Sequence, residues 1–102
     1  MNSRFVLAPE AAEDLASIWR YIKRHGSIAT ADRVESIIRD KLTLLAHSPE
    51  AGHHRKNLTN EKVRFFPVYS YLIVYRPATS PLQIVAILHG RRDVERVLSD
   101  RL

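Results

Sequence analysis

Five side chains in the second half of the chain have the types and spacing to grip or cut a phosphodiester: Arg64, Arg76, His89, Arg91 and Arg92. Cutting RNA without a metal takes a group to activate the 2′-OH, a group to protonate the leaving oxygen, and cations to stabilise the phosphorane. The arginines are the cations. His89 is the one titratable imidazole among them, and imidazole is the side chain best matched to proton transfer near neutral pH. Each residue taken singly is more simply a strand-end cap, paired with Asp93, Glu95 or the terminal carboxylate. As a set they favour a functional surface. Other chemistries lack their signatures. The three glycines, Gly26, Gly52 and Gly90, lie too far apart for a phosphate-cradling loop, and neither G-x-S-x-G nor H-E-x-x-H occurs. There is no cysteine, and the adjacent His53 and His54 have no third ligand at metal-binding spacing, so neither a zinc site nor any other cofactor is expected.

These residues sit on a strand-forming stretch, Val63 to Gly90. Two runs rich in aromatic and β-branched residues flank the breaker P-A-T-S-P at residues 77–81. Pro67 falls inside the first run and is expected to end a short strand or mark a bulge. The reading is three antiparallel strands, Lys62–Phe66, Tyr69–Arg76 and Leu82–His89. Arg64 opens the first and His89 closes the third, and the two are expected near one rim. Arg76 closes the second.

Upstream, Arg4–Leu7 is a short β-like start that can add an edge strand. Pro9 and Glu10 then begin a helix whose apolar stripe is Ala11, Leu15, Ile18, Trp19 and Ile22, ending at Gly26. Glu10, Glu13 and Asp14 suit its positive N-terminal end. A second helix starts at Ser27 or Thr30, with the stripe Val34, Ile37, Ile38, Leu42 and Leu45, and closes around Ser48–Gly52. Trp19 is expected in the core and Tyr21 exposed at a protein contact. Both stripes need one apolar face to cover, and the sheet is the only one large enough. The expected fold is therefore α+β and two-layered: an N-terminal edge strand, an antiparallel helical hairpin packed on a small antiparallel sheet, and a short C-terminal helix within Asp93–Leu102. At 102 residues the chain is read as one domain, 1–102.

Charge separates the two halves. Residues 1–50 carry seven Lys/Arg and seven Asp/Glu, whereas residues 51–102 carry nine against four, so the whole net charge of +5 lies in the second half. A basic half favours an anionic partner, a nucleic acid or an acidic protein segment. The longest aliphatic run, Ile84–Leu88, is far too short to cross a bilayer, and the N-terminus lacks the apolar core of a signal peptide, so a cytoplasmic protein is expected with no membrane partner.

Four segments, in order, resemble the RelE/ParE superfamily of bacterial toxins, the toxic halves of type II toxin–antitoxin pairs. They are A-x-x-D-L-x-x-I-x-x-Y-I at Ala11–Ile22, L-x-x-x-P-x-x-G at Leu45–Gly52, V-R-x-F-x-V-x-x-Y-L-I-x-Y-R at Val63–Arg76, and I-x-x-I-L-H-G-R-R-D at Ile84–Asp93. The resemblance implies a cognate antitoxin that wraps the toxin in a hetero-oligomer, with Tyr21, Arg24, Arg55 and Lys56 as its expected contacts. It also implies one of two targets. ParE-like members resemble poisons of DNA gyrase. RelE-like members enter the ribosome and cut mRNA, typically with a late Tyr or His. Leu98 stands where many of these carry that tyrosine, and no tyrosine follows Tyr75. With the long hairpin and the L-H-G-R-R-D ending, this places the chain on the ParE-like side, with Arg64, Arg76, His89, Arg91 and Arg92 as target-binding residues and no catalytic group. The alternative is a ribosome-dependent endoribonuclease using Arg64, His89 and Arg92. A third reading, of another class, is a non-toxic nucleic-acid-binding or protein-binding module on the same fold.

Overall fold

The computed structural model describes residues 4–102. The elements in chain order are β1 (Phe5–Leu7), α1 (Pro9–His25), α2 (Ile28–His47), one 3-10 turn (Pro49–Ala51), β2 (Arg64–Val68), β3 (Tyr71–Arg76), β4 (Leu82–His89) and α3 (Val94–Arg101). Pro9 occupies the first turn of α1, where its missing N–H has no helical partner to lose, and Lys23, Arg24 and His25 meet the negative C-terminal end. Ser27 caps α2 by accepting from the Thr30 N–H at 3.1 Å. The stripes of the two helices, with Ala11, Leu15, Ile38, Leu42 and Leu45 at their centre, are buried against Val68, Ile73, Tyr75, Leu82, Ile84 and Ile87 on one sheet face. Trp19 is not in that core. It lies one residue past Ile18, about 100° round the helix. Its indole N–H donates to Asp32 at 2.8 Å and clips α1 to α2 from outside.

The sheet order is β1-β4-β3-β2. The three later strands pair antiparallel, as their short connections require, while β1 joins the far side of β4 in parallel through the helical hairpin, so the sheet is mixed. Pro67 neither ends β2 nor bulges it. It pairs opposite Leu72 inside the strand, tolerated because β2 is an edge strand and the absent N–H faces outward. Phe65, the other outward-facing residue, exchanges both backbone bonds with His53 at 2.8 Å. Tyr69 does not begin β3. With Ser70 it makes the two-residue turn, at φ 55°.

The second sheet face carries its own smaller core. Val94 and Leu98 of α3 pack on Val63, Phe65, Val74, Val85, Ala86 and Leu88, with Leu58 of the long link beside them. β4 is therefore covered on both faces, which is why Ile84–Leu88 reads as an unbroken aliphatic run rather than an alternation. The register between β3 and β4 slips at Val74/Tyr75. Val85 and Ala86 consequently both join the α3-side core, and Ile87 then faces the helical hairpin. That one-residue bulge also turns His89 toward the hairpin side.

The turn after α2 is bolted to the sheet by polar groups. The Tyr75 hydroxyl, fully buried, donates to the Pro49 carbonyl at 2.7 Å and accepts from the Gly52 N–H at 2.8 Å. A Cβ on Gly52 would overlap the Tyr75 hydroxyl and stand 2.9 Å from its ring and 3.0 Å from the Phe65 carbonyl. Gly52→Ala is therefore expected to cost about 2 kcal/mol by overpacking. A urea midpoint lowered at constant slope would show it, and an unchanged midpoint would refute the tight approach.

Candidate functional site

Register divides the five cationic candidates. Arg64 pairs with Tyr75, and His89 pairs with Tyr71 at the other end of the same strand, four residues away or about 13 Å along the sheet. The expectation of a shared rim for Arg64 and His89 fails for a simple reason. β2 and β4 run the same way, so the start of one and the end of the other are at opposite ends. Arg76, opposite Gln83, belongs to the Arg64 end. Arg91 and Arg92 follow His89 in the turn before α3.

Arg64 is also occupied. Its Nη1 donates to the carbonyls of Gly52 at 2.7 Å and Glu50 at 3.2 Å, fixing the same turn that Tyr75 holds. At the His89 end Arg91 and Arg92 are exposed. There a cleft of about 600 Å³ opens between α1, the β2–β3 turn, the end of β4 and the turn into α3, with Tyr21, Tyr71, His89 and Arg92 among its walls. His89 is held from two directions. Its ring meets Tyr71 edge-on at 5.5 Å, and its Nδ1 accepts the Arg91 backbone N–H at 3.0 Å. In that arrangement the neutral ring carries its proton on Nε2, and it offers the cleft a donor rather than a base.

The floor of the cleft is a buried ion pair. Asp14 accepts from both guanidinium nitrogens of Arg101, at 2.6 and 2.9 Å, and from the Ile87 N–H at 3.0 Å. Arg101 also donates to the Val85 carbonyl at 3.4 Å. β1 covers β4 only as far as Ile84, so these two side chains continue what the edge strand leaves off. Hydrogen bonding to Asp14, against the opposing effect of burial, holds Arg101 above the usual arginine range. Among the described residues no group of His, Asp, Glu or Cys is placed to hold a metal ion.

Two phenols carry shifts of their own. Burial pushes Tyr71 above its ordinary value, and the neighbouring Tyr21 adds to the rise. Burial also raises Tyr75, outweighing the Gly52 N–H and the Arg64 charge, which favour the phenolate. A phenol with a raised folded-state pKa contributes stability that is complete below the unfolded value, 10.0, and is lost as pH climbs through the folded value. Alkaline titration followed by phenolate absorbance should therefore show two tyrosines ionising late, together with unfolding. Ionisation of all four at the ordinary pH with the fold intact would contradict it.

The sequence model of the family described as the ParE toxin of the type II toxin–antitoxin system parDE matches residues 5–94, nearly the whole chain. The chain belongs to the ParE toxin family. It is the toxin type of a type II pair, and the segments that suggested this have visible tasks in the fold. Asp14 is the D of A-x-x-D-L, and Pro49 and Gly52 are the turn that Tyr75 and Arg64 hold. Among solved structures, a chain of the chromosomal ParDE system from P. aeruginosa superposes with a TM-score of 0.72 at 18% identity, covering 84% of this chain and 94% of its own. At that identity the likeness speaks to the fold. No curated protein sequence matches the chain.

Of the residues expected to meet the ParE toxin's antitoxin, Tyr21 and Arg24 stand three apart on α1 and are neighbours on its surface. Tyr21 stacks on His25 at 4.3 Å between ring centres and faces the His89 cleft. Arg24 lies with Arg20 and Lys23 near the end of α1, and Arg55 and Lys56 line a separate shallow hollow with Thr59 and Lys62. Asp14 and Arg101 were missed as site residues. The signal for Asp14 was present, since it stands three residues after Ala11 and four before Ile18, an acid set on an apolar stripe.

Proposed function

We propose that this ParE-family toxin works in the cytoplasm by binding DNA gyrase through the His89, Arg91 and Arg92 end of the sheet, without breaking a bond itself, and that a cognate antitoxin silences it in a hetero-oligomer. The observation that carries this reading is the state of the groups a nuclease would need. The His89 Nδ1 is tied to the Arg91 N–H, Tyr71 is held toward its protonated form, and Leu98, where a late tyrosine would stand, is buried in the α3-side core. Arginines on an exposed turn remain well suited to grip a polyanion or an acidic protein face. Arg76 and Arg64, at the far end, act on the target at most indirectly.

A second reading rests on one observation. His89, Arg92 and Tyr71 share the cleft, so a ribosome-dependent endoribonuclease retains two of its three expected residues, with Arg64 too distant to join them. The test is purified toxin with gyrase and supercoiled plasmid. The expected result is gyrase trapped as cleaved complexes, with Arg92→Ala weakening the effect about tenfold or more. Unaffected gyrase at large toxin excess would overturn the proposal.

A further inference from the structure

We infer that the cleft beside His89 receives an extended, acidic segment of the antitoxin as a short added strand on β4. The inference rests on the antitoxin reading above and specifies where and how the partner docks.

The argument begins with the direction of backbone groups. The bulge at Val85 shifts the alternation, so that the Ile87 and His89 backbone groups point away from β3, toward the side where β1 has already ended. Four such groups face the cleft. Two are satisfied within the chain: the Ile87 N–H by Asp14 and the His89 carbonyl by the Arg92 N–H. The Ile87 carbonyl and the His89 N–H meet no partner among the described residues. One acceptor followed by one donor on a strand edge is the pattern an incoming extended peptide completes. The β2 edge offers no rival site, because His53 already pairs with Phe65 and Pro67 has no N–H.

The surroundings select the peptide's chemistry. Both acids of the cleft are already neutralised, Asp14 by Arg101 and Glu13 by Arg20. The charge left over is that of Arg92, with the Nε2 donor of His89 beside it. An acidic residue of the incoming strand meets these two. Tyr21, 61% exposed, and Tyr71 form an aromatic wall for an apolar neighbour. A nucleic acid would use Arg92 and the rings but would leave the strand-edge pair unmatched, which is why a peptide is the occupant.

Amide-resolved hydrogen exchange tests this, comparing the free toxin with the complex co-purified with the protein of the adjoining reading frame. In the free toxin the Ile87 amide is expected to exchange slowly and the His89 amide quickly. In the complex the His89 amide should slow by about a hundredfold or more, and Tyr21→Ala should weaken binding about tenfold with the thermal midpoint unchanged. A complex in which His89 still exchanges as in the free toxin overturns the inference while leaving the antitoxin reading intact. No binding at all overturns both. Protection of His89 by a single-stranded oligonucleotide, and not by the partner protein, overturns the choice of a peptide.

Discussion

Asp14→Ala is expected to lower the toxin's stability by about 3–5 kcal/mol, the largest loss of any single substitution considered. Removing one member of a buried pair costs more than the pair was worth, because the other is left charged with nothing to face. The Arg101 side chain is only 16% exposed, and Asp14 7%. The substitution strands three donors at once: two guanidinium nitrogens and the Ile87 N–H. It also uncouples layers. Arg101 ends α3, which packs on one sheet face, and Asp14 sits on α1, which packs on the other. Their bond passes round the uncovered half of the β4 edge. Urea unfolding should show the loss as a lowered midpoint. The double variant Asp14→Leu, Arg101→Met should recover part of it, since two apolar groups of similar size leave only the Ile87 N–H and the Val85 carbonyl wanting. A single variant as stable as the parent would mean that solvent reaches the pair and screens it.

Tyr75→Phe is expected to cost about 3 kcal/mol, although it removes one oxygen and leaves the ring in place. That oxygen serves the Pro49 carbonyl and the Gly52 N–H together, and each buried group left unpaired costs roughly 1–3 kcal/mol. Arg64 reaches the same turn through the Glu50 and Gly52 carbonyls, so Arg64→Ala and Tyr75→Phe touch shared partners and should not add. Their double-mutant cycle, read by urea midpoints, should give an interaction well away from zero. Simple additivity would show that the two residues hold the turn independently.

Much of this fold is written in residue spacing. The helical stripes, the Pro9 and Gly26 limits and the strands from Arg64 onward follow local rules, because each buried face repeats with its own period. The interior of β4 reads differently. A run buried on both faces has no alternation, so Ile84–Leu88 announces a strand but conceals which residue faces where, and the bulge at Val85 decides that. Only its partner β3 fixes the shift, through a register no single segment contains. The separation of Arg64 from His89 has a related cause: β2 and β4 both run antiparallel to β3, so a residue that opens one and a residue that closes the other lie at opposite ends of the sheet. Candidate site residues are legible where they are exposed and basic, as at Arg91 and Arg92. Asp14 was read as a helix-end charge because its partner lies 87 positions later. Nothing local marks Arg101 as the residue that meets it.

Primer extension across a translated message in cells where the toxin has been induced tests the central claim most directly, that the cationic end binds a target and does not cleave one. Growth should stop while the message stays whole, and His89→Ala should leave that arrest in place. Message ends phased to codons, lost together with the arrest in His89→Ala, would contradict it.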